Sequence, residues 1–369
     1  MKRICTRQKT RNGKFSLLLG ISLLVLAFAG LLAAAWISGF AQWYVGNIYP
    51  GLVSTIGWFM GLFPFSVVEM GLYLILIGFV AFAAYTVIQV IRKKEGVRRF
   101  FPFFFRVILV VGVLAFLYTA GCGINYRRTS FSEESGFSTP KYSVGQLKEV
   151  CLWLTQEVNQ YSPLVSRDET GMMQLSVEEG VAAVEEMHRL AQQYPVLEGY
   201  YPLPKKVIVS EILSYQGITG VYSPFTFEAN YNGDMTPYNI PFTVCHELSH
   251  LRGFMQEQEA NFIAFLACIG SSYPDFAYSG YLTGWVYCMN ALYAADYNIW
   301  EEVRLELSRE VDVDLQANNE FWKRYEGVIS EAANQMNDAY LKANGQTEGV
   351  HSYNRMVDLI VSYYGTSIR

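Results

Sequence analysis

The hydrophobic pattern divides the chain near residue 125. Before that point lie three apolar stretches, at about 15–40, 67–91 and 100–124. Each carries an apolar run of about 20 residues or more, long enough as a helix to cross a bilayer. Beyond Asn125 the periodicities become those of a globular domain. Leu147, Val150, Cys151, Leu154 and Val158 recur on one helical face between Val144 and Gln160, and a second amphipathic helix is predicted over Val177 to Tyr194. Val207 to Tyr222 offers short apolar runs that read as strands. Phe225 to Asn232 alternates and is rich in aromatics, so it reads as a further strand, closed by the turn signal Asn232-Gly233-Asp234. The remainder is almost entirely helical in pattern. A helix ends near Gly253, a second opens at Met255 and runs through Ile269, and others cover Tyr278 to Ala295, Trp300 to Val311, Asn318 to Leu341 and Tyr353 to Tyr364. Tyr278 to Ala295 is apolar enough to pass for a fourth span, but it is expected in the core. Arg127 to Tyr142, rich in Ser, Thr and Gly, reads as a linker. The fold class that follows is an N-terminal transmembrane α-helical region (1–125) joined to an α+β, mostly helical domain with a small sheet (126–369).

Charge orients this plan. Lys2, Arg3, Arg7, Lys9, Arg11 and Lys14 precede the first stretch, and Arg92, Lys93, Lys94, Arg98 and Arg99 fill the loop between the second and third. Basic loops stay cytoplasmic, so the N-terminus is expected inside, residues 41–66 outside, and the C-terminal domain outside. Arg127 and Arg128 pull weakly the other way. The first stretch could be a cleaved signal, but its apolar run exceeds the ~7–15 residues of a signal core, so a retained helix is expected. Trp43, Tyr44, Tyr49, Trp58, Phe59, Phe63 and Phe65 make the outside loop aromatic, which suits interfacial anchoring or, alternatively, a platform beneath the domain. Glu69, near the outer end of the second stretch, is expected to reach interfacial water. Overall the chain is 51% hydrophobic and 17% charged, with net charge −5 and no basic stripe in its soluble half, so nucleic acid is not an expected partner. The six cysteines show no CxxC spacing, and buried free thiols are expected.

The chemistry is concentrated at His246-Glu247-Leu248-Ser249-His250. Histidines four apart share a helix face and can reach one metal ion, with Glu247 beside the open coordination position as general base. Zinc is the expected cofactor. A third ligand is expected on the element that follows, where Glu257 and Asn261 lie four apart, so that one can bind metal while the other hydrogen-bonds a ligand imidazole. Glu259 points about 160° away from Glu257 around a helix, so the two do not serve the same ion, and spacing leaves open which one does. The strand around Ala229 and Asn230, just before the motif, is a candidate for holding an extended peptide by backbone hydrogen bonds. His351 and Tyr353 are candidate donors to an oxyanion. His188 has no potential ligand one turn away and reads as a helix-surface residue.

The run Phe242-Thr243-Val244-Cys245-His246-Glu247-Leu248-Ser249-His250, followed by Glu257-x-Glu259-Ala260-Asn261-x-x-Ala264, resembles the gluzincin metallopeptidases. Within them it is similar to the ImmA/IrrE-like group, whose zinc helix also follows a strand ending in asparagine. The resemblance implies a zincin-like domain, Glu257 as third ligand, and Asn261 where the family usually has aspartate. The chain as a whole resembles a group of bacterial three-pass membrane proteins with a domain of unknown function. That implies a bacterial cytoplasmic-membrane location and leaves the substrate open. The expected function is hydrolysis of peptide bonds in an envelope or membrane-tethered substrate, Glu247 activating a zinc-bound water. The competing expectation is a non-catalytic zinc-binding or peptide-recognition sensor.

Overall fold

A computed structural model describes residues 2–91, 100–139, 141–346 and 355–368. The basic loop 92–99 and the candidates His351 and Tyr353 lie outside the described residues. The chain is mostly helical with two small sheets. Among the described residues two helical segments are long and apolar enough to cross a membrane, Gly13–Trp36 and Phe104–Arg127. The helix Val67–Ile91 is apolar as well. The first and third apolar helices pack closely at a glycine contact. A Cβ on Gly20 would lie 2.8 Å from the backbone of Ile108 and Leu109, and one on Gly112 would collide with Gly20 itself. Glycine at both positions allows this approach.

The globular part is built around the helices Asn239–Leu251, Glu257–Ile269 and Pro274–Ala295. Pro274–Ala295 is the predicted core helix, buried along most of its length and tied to Val144–Tyr161 by a bond from Trp285 Nε1 to Thr155 Oγ1 of 2.9 Å. Cys122, Cys151, Cys245, Cys268 and Cys288 are buried free thiols, as expected. His188 is exposed, its ring edge against Tyr201.

Several local expectations are corrected. Val207 to Tyr222 is not a run of strands: a short strand, Lys205–Lys206, precedes a helix, Ser210–Tyr215, and then the strand Gly220–Ser223. The predicted strand at 225–232 is shortened to Glu228–Tyr231, because Phe227 turns the chain at φ 54°. The predicted break between Val311 and Asn318 is also absent. A continuous helix, Arg309–Lys323, fills it, and breaks fall instead on either side, before Ser308 and near Gly327. The supposed linker at 127–142 is packed down. Phe131 is fully buried among Phe137, Tyr194, Phe254 and Phe262. Arg128 is buried too, lying 3.7 Å over the Phe254 ring and donating to the Arg252 carbonyl at 3.0 Å. Burial pulls its pKa down to about 10, opposed by Glu134.

The larger sheet fastens the globular part to the second apolar helix. The Glu228 carboxylate accepts from the N–H groups of Val67 and Val68, both at 3.0 Å, and pairs with the buried Lys205. First-turn N–H groups have no partner inside their own helix, and a carboxylate there also meets the favourable end of the helix dipole. Glu69 reciprocates: it accepts from the N–H groups of Ile208 (2.9 Å) and Val209 (3.0 Å) and from the Tyr73 hydroxyl (2.6 Å). It is therefore a buried anchor, not a side chain in interfacial water, because the backbone donors of another element reach it first. The aromatic segment 41–66 packs beneath the sheet as short helices. Tyr49 is buried, its hydroxyl donating to Leu251 O at 3.0 Å and paired with the Tyr222 hydroxyl at 3.1 Å.

Glu228→Ala would leave the Lys205 charge buried and two helix N–H groups unmet. A loss of about 3–5 kcal/mol is expected for breaking such a buried pair, read as a lower thermal midpoint of the full chain in detergent. A midpoint equal to wild type would mean that the junction is solvated and not a structural bond.

Candidate metal centre

Asn239–Leu251 presents His246 and His250 on one face, their ring centroids 4.5 Å apart. Gly253, at φ 88°, turns the chain so that the helix Glu257–Ile269 opens beside them. Glu257 then places Oε2 at 3.3 Å from His246 Nε2 and Oε1 at 3.8 Å from His250 Nε2. The three ligand atoms lie within 4.8 Å of one another. Ligand bonds of about 2.0–2.2 Å in a tetrahedral arrangement put neighbouring donor atoms roughly 3.4 Å apart, so the set fits a single zinc-sized ion. His250 Nδ1 lies 2.8 Å from the Phe254 carbonyl. A donated Nδ1–H there leaves the Nε2 lone pair facing the cluster, which is the outer support a ligand histidine needs.

Sequence spacing left Glu257 and Glu259 open, and the fold separates them. Glu259 turns to the opposite side, where its carboxylate accepts from the N–H and the hydroxyl of Ser132, both at 2.8 Å. It caps the short helix Phe131–Glu134. Asn261 lies against His246 and Tyr287. Its Nδ2 and the Nδ1 of His246 are buried with no hydrogen-bond partner among the described residues, so the expected support of that imidazole is a close approach and not a formed bond.

Electrostatics distinguish the groups. Burial pushes the Glu247 carboxyl up to about 8, partly offset by His246 and reinforced by Glu257. Burial also lowers His250, to about 4, with the neighbouring His246 acting in the same direction. For His246 burial pulls down as well, but the hydrogen bond and charge of Glu257, with Glu247 and Asn261, outweigh it and hold its pKa above the usual value. Glu247 Oε2 is buried and unpaired.

The cluster lies in a cleft of about 1200 Å³. One wall is the strand Gly220–Ser223, the outer strand of a three-stranded sheet in which Glu228–Tyr231 lies in the middle. That order corrects the expectation for Ala229 and Asn230. Both are buried in the central strand, with a neighbour on each side, so they offer no backbone to a peptide. The available edge is Gly220–Ser223. Its Tyr222 N–H is directed at the Glu247 carboxylate, and a Cβ on Gly220 would come within 2.5 Å of Glu247 Oε1. Only glycine leaves Glu247 this room. Across the cleft Tyr287 lies within reach of the Glu257 charge, and burial raises its pKa to about 12, so it remains a protonated donor. Gly220, Tyr222 and Tyr287 were not legible in the sequence. None shares a motif spacing with His246, and each arrives on a separate element.

No curated protein and no solved structure matches the chain. A family model matches residues 44–361, a span that begins in the aromatic segment and takes in all the cleft residues named above. This bears out the expected kinship to a domain of unknown function, while the gluzincin likeness rests on the motif alone. By that match the chain belongs to the family described as "Protein of unknown function (DUF3810)".

Proposed function

We propose that the protein is a membrane-anchored zinc peptidase with a zincin-like domain. The observation that carries this reading is the convergence of His246, His250 and Glu257, at separations suited to one zinc, with Glu247 and an open sheet edge in the same cleft. A zinc held there would polarise a scissile carbonyl and lower the pKa of a bound water toward ~7. Glu247 would accept a proton from the attacking water and pass it to the leaving amine. Burial raises the Glu247 carboxyl, and a cation at the cluster would act in the opposite direction, favouring the carboxylate that a base requires. The free edge of Gly220–Ser223 aligns an extended peptide, and Tyr287 offers a hydroxyl donor on the facing side.

The same reading places the apolar helices as three spans, with the domain outside the bacterial cytoplasmic membrane. Three contacts support the part of it that puts these helix ends on the domain's side. Leu31, near the end of the first helix, approaches Gly123, at the end of the third. The start of the second helix is bonded to the sheet through Glu228. The third passes into the domain through Tyr118, whose hydroxyl donates to Asn344 at 2.6 Å. Arg128, the nearest basic residue to the domain that argued for the opposite orientation, is engaged inside the fold.

Metal analysis of the purified full chain should find about one zinc, lost in His246→Ala and in Glu257→Ala and retained in Glu259→Ala. A folded wild type that takes up no zinc would remove the proposal. Glu247→Gln should keep its zinc and lose about 10³-fold or more in peptide hydrolysis. Full retention of biological function in that variant would instead favour a binding module. Gly220→Ala should also keep zinc while slowing hydrolysis by about 10- to 100-fold, since its methyl group displaces the Glu247 carboxylate. An unchanged rate would mean that the strand is not held against the base.

A further inference from the structure

Resting on the peptidase reading, we propose that the substrate is a polypeptide anchored in the same membrane, cut in an uncharged segment within a few residues of the bilayer surface. The cleft is built on the end of a membrane helix. Exposed apolar side chains run along the third apolar helix from Phe104 to Phe116 and stop there. From Thr119 the helix widens into a π turn and is buried in the domain. Cys122 and Tyr126, on this buried end, line the cleft and lie within reach of the Glu257 charge. Six residues separate Phe116 from Cys122, which is about 9 Å of helix. A segment leaving the bilayer beside this helix reaches the metal centre after about three to six extended residues.

Two further observations fix the chemistry. The residues lining the cleft include no Lys, Arg or Asp among those described, and its only carboxylates are Glu247 and Glu257. An acidic substrate side chain would find no cation among these residues, and a basic one only the two carboxylates of the centre itself. Another wall is the helix Val328–Ala343, which brings Asn334 and Asn337 to the cleft together with Val328, Ile329, Met336 and Tyr340, each of these four at least 40% exposed. Exposed apolar groups on a cleft wall match an apolar chain better than a soluble, charged one. The platform segment supports the placement of the surface. Trp58, Phe59 and Leu62 are more than half exposed, next to Met60, whose carbonyl accepts from Lys205. Exposed aromatics of this kind sit at headgroup level.

The test uses the zinc-loaded full chain in nanodiscs of phosphatidylethanolamine with a minority of phosphatidylglycerol. The probe is a degenerate peptide of about 25 residues, long enough when extended to run well clear of the surface. It is made with and without an N-terminal palmitoyl chain, and cut positions are read by mass spectrometry. Cuts in the acylated probe should cluster within about eight residues of the anchor, at least tenfold above the rest of the segment, and should avoid positions next to Lys, Arg, Asp or Glu. Cuts spread evenly along the acylated probe, as in the free peptide, would overturn the juxtamembrane proposal and leave the peptidase reading intact. Clustered cuts that ignore charge would overturn the uncharged-segment part alone. Hydrolysis of neither probe, by protein carrying its zinc, would overturn the peptidase reading and this proposal with it.

Discussion

A carboxylate removed from water must find donors, and this chain buries several in one half of the molecule. Glu228 finds two helix N–H groups and Lys205, Glu69 finds two backbone N–H groups and Tyr73, and Glu259 finds Ser132. In each case at least one donor comes from a segment distant in sequence, so satisfying the carboxylate also fixes one element against another. The second apolar helix, the sheet and the short helix at Phe131 are positioned in this way.

Glu247 is the exception. Glu257 faces two imidazoles, and Glu247 keeps one buried oxygen unpaired beside a cleft open to a ligand. A buried oxygen left in this way is costly to stability and marks a candidate functional group. Gly220 belongs to the same arrangement, since it gives up a side chain so that Glu247 can lie against the strand.

Tyr222 connects this site to the apolar N-terminal segment. Its N–H is directed at Glu247, while its hydroxyl meets Tyr49 on the aromatic platform at 3.1 Å and Gly121 O, in the π turn of the third apolar helix, at 3.1 Å. π turns leave carbonyls without their usual helical partners, and the tyrosines supply donors: Tyr44 serves Ala120 O at 2.9 Å in the same way. One strand residue therefore contacts both Glu247 and the helix end.

Much of this was legible in the sequence, for a physical reason. The apolar stretches, the amphipathic helices and the His-Glu-x-x-His face depend on spacing within one element, and helical periodicity carries that information locally. The core placement of Pro274–Ala295 followed from its position after the polar motif. What the sequence could not determine were relations between elements. It could not choose Glu257 over Glu259, because the choice depends on how Gly253 directs the second helix toward the first. It assigned Ala229 and Asn230 to a peptide-binding edge, because strand order is set by long-range pairing and not by the alternation within a strand. It placed Glu69 in water and 127–142 in a linker, because neither the N–H groups of 208 and 209 nor the aromatic cluster around Phe131 is near them in the chain. Those donors and that cluster arrive only with the tertiary fold, and it is their arrival that converts a polar side chain in a hydrophobic stretch into an anchor and a short motif into a site.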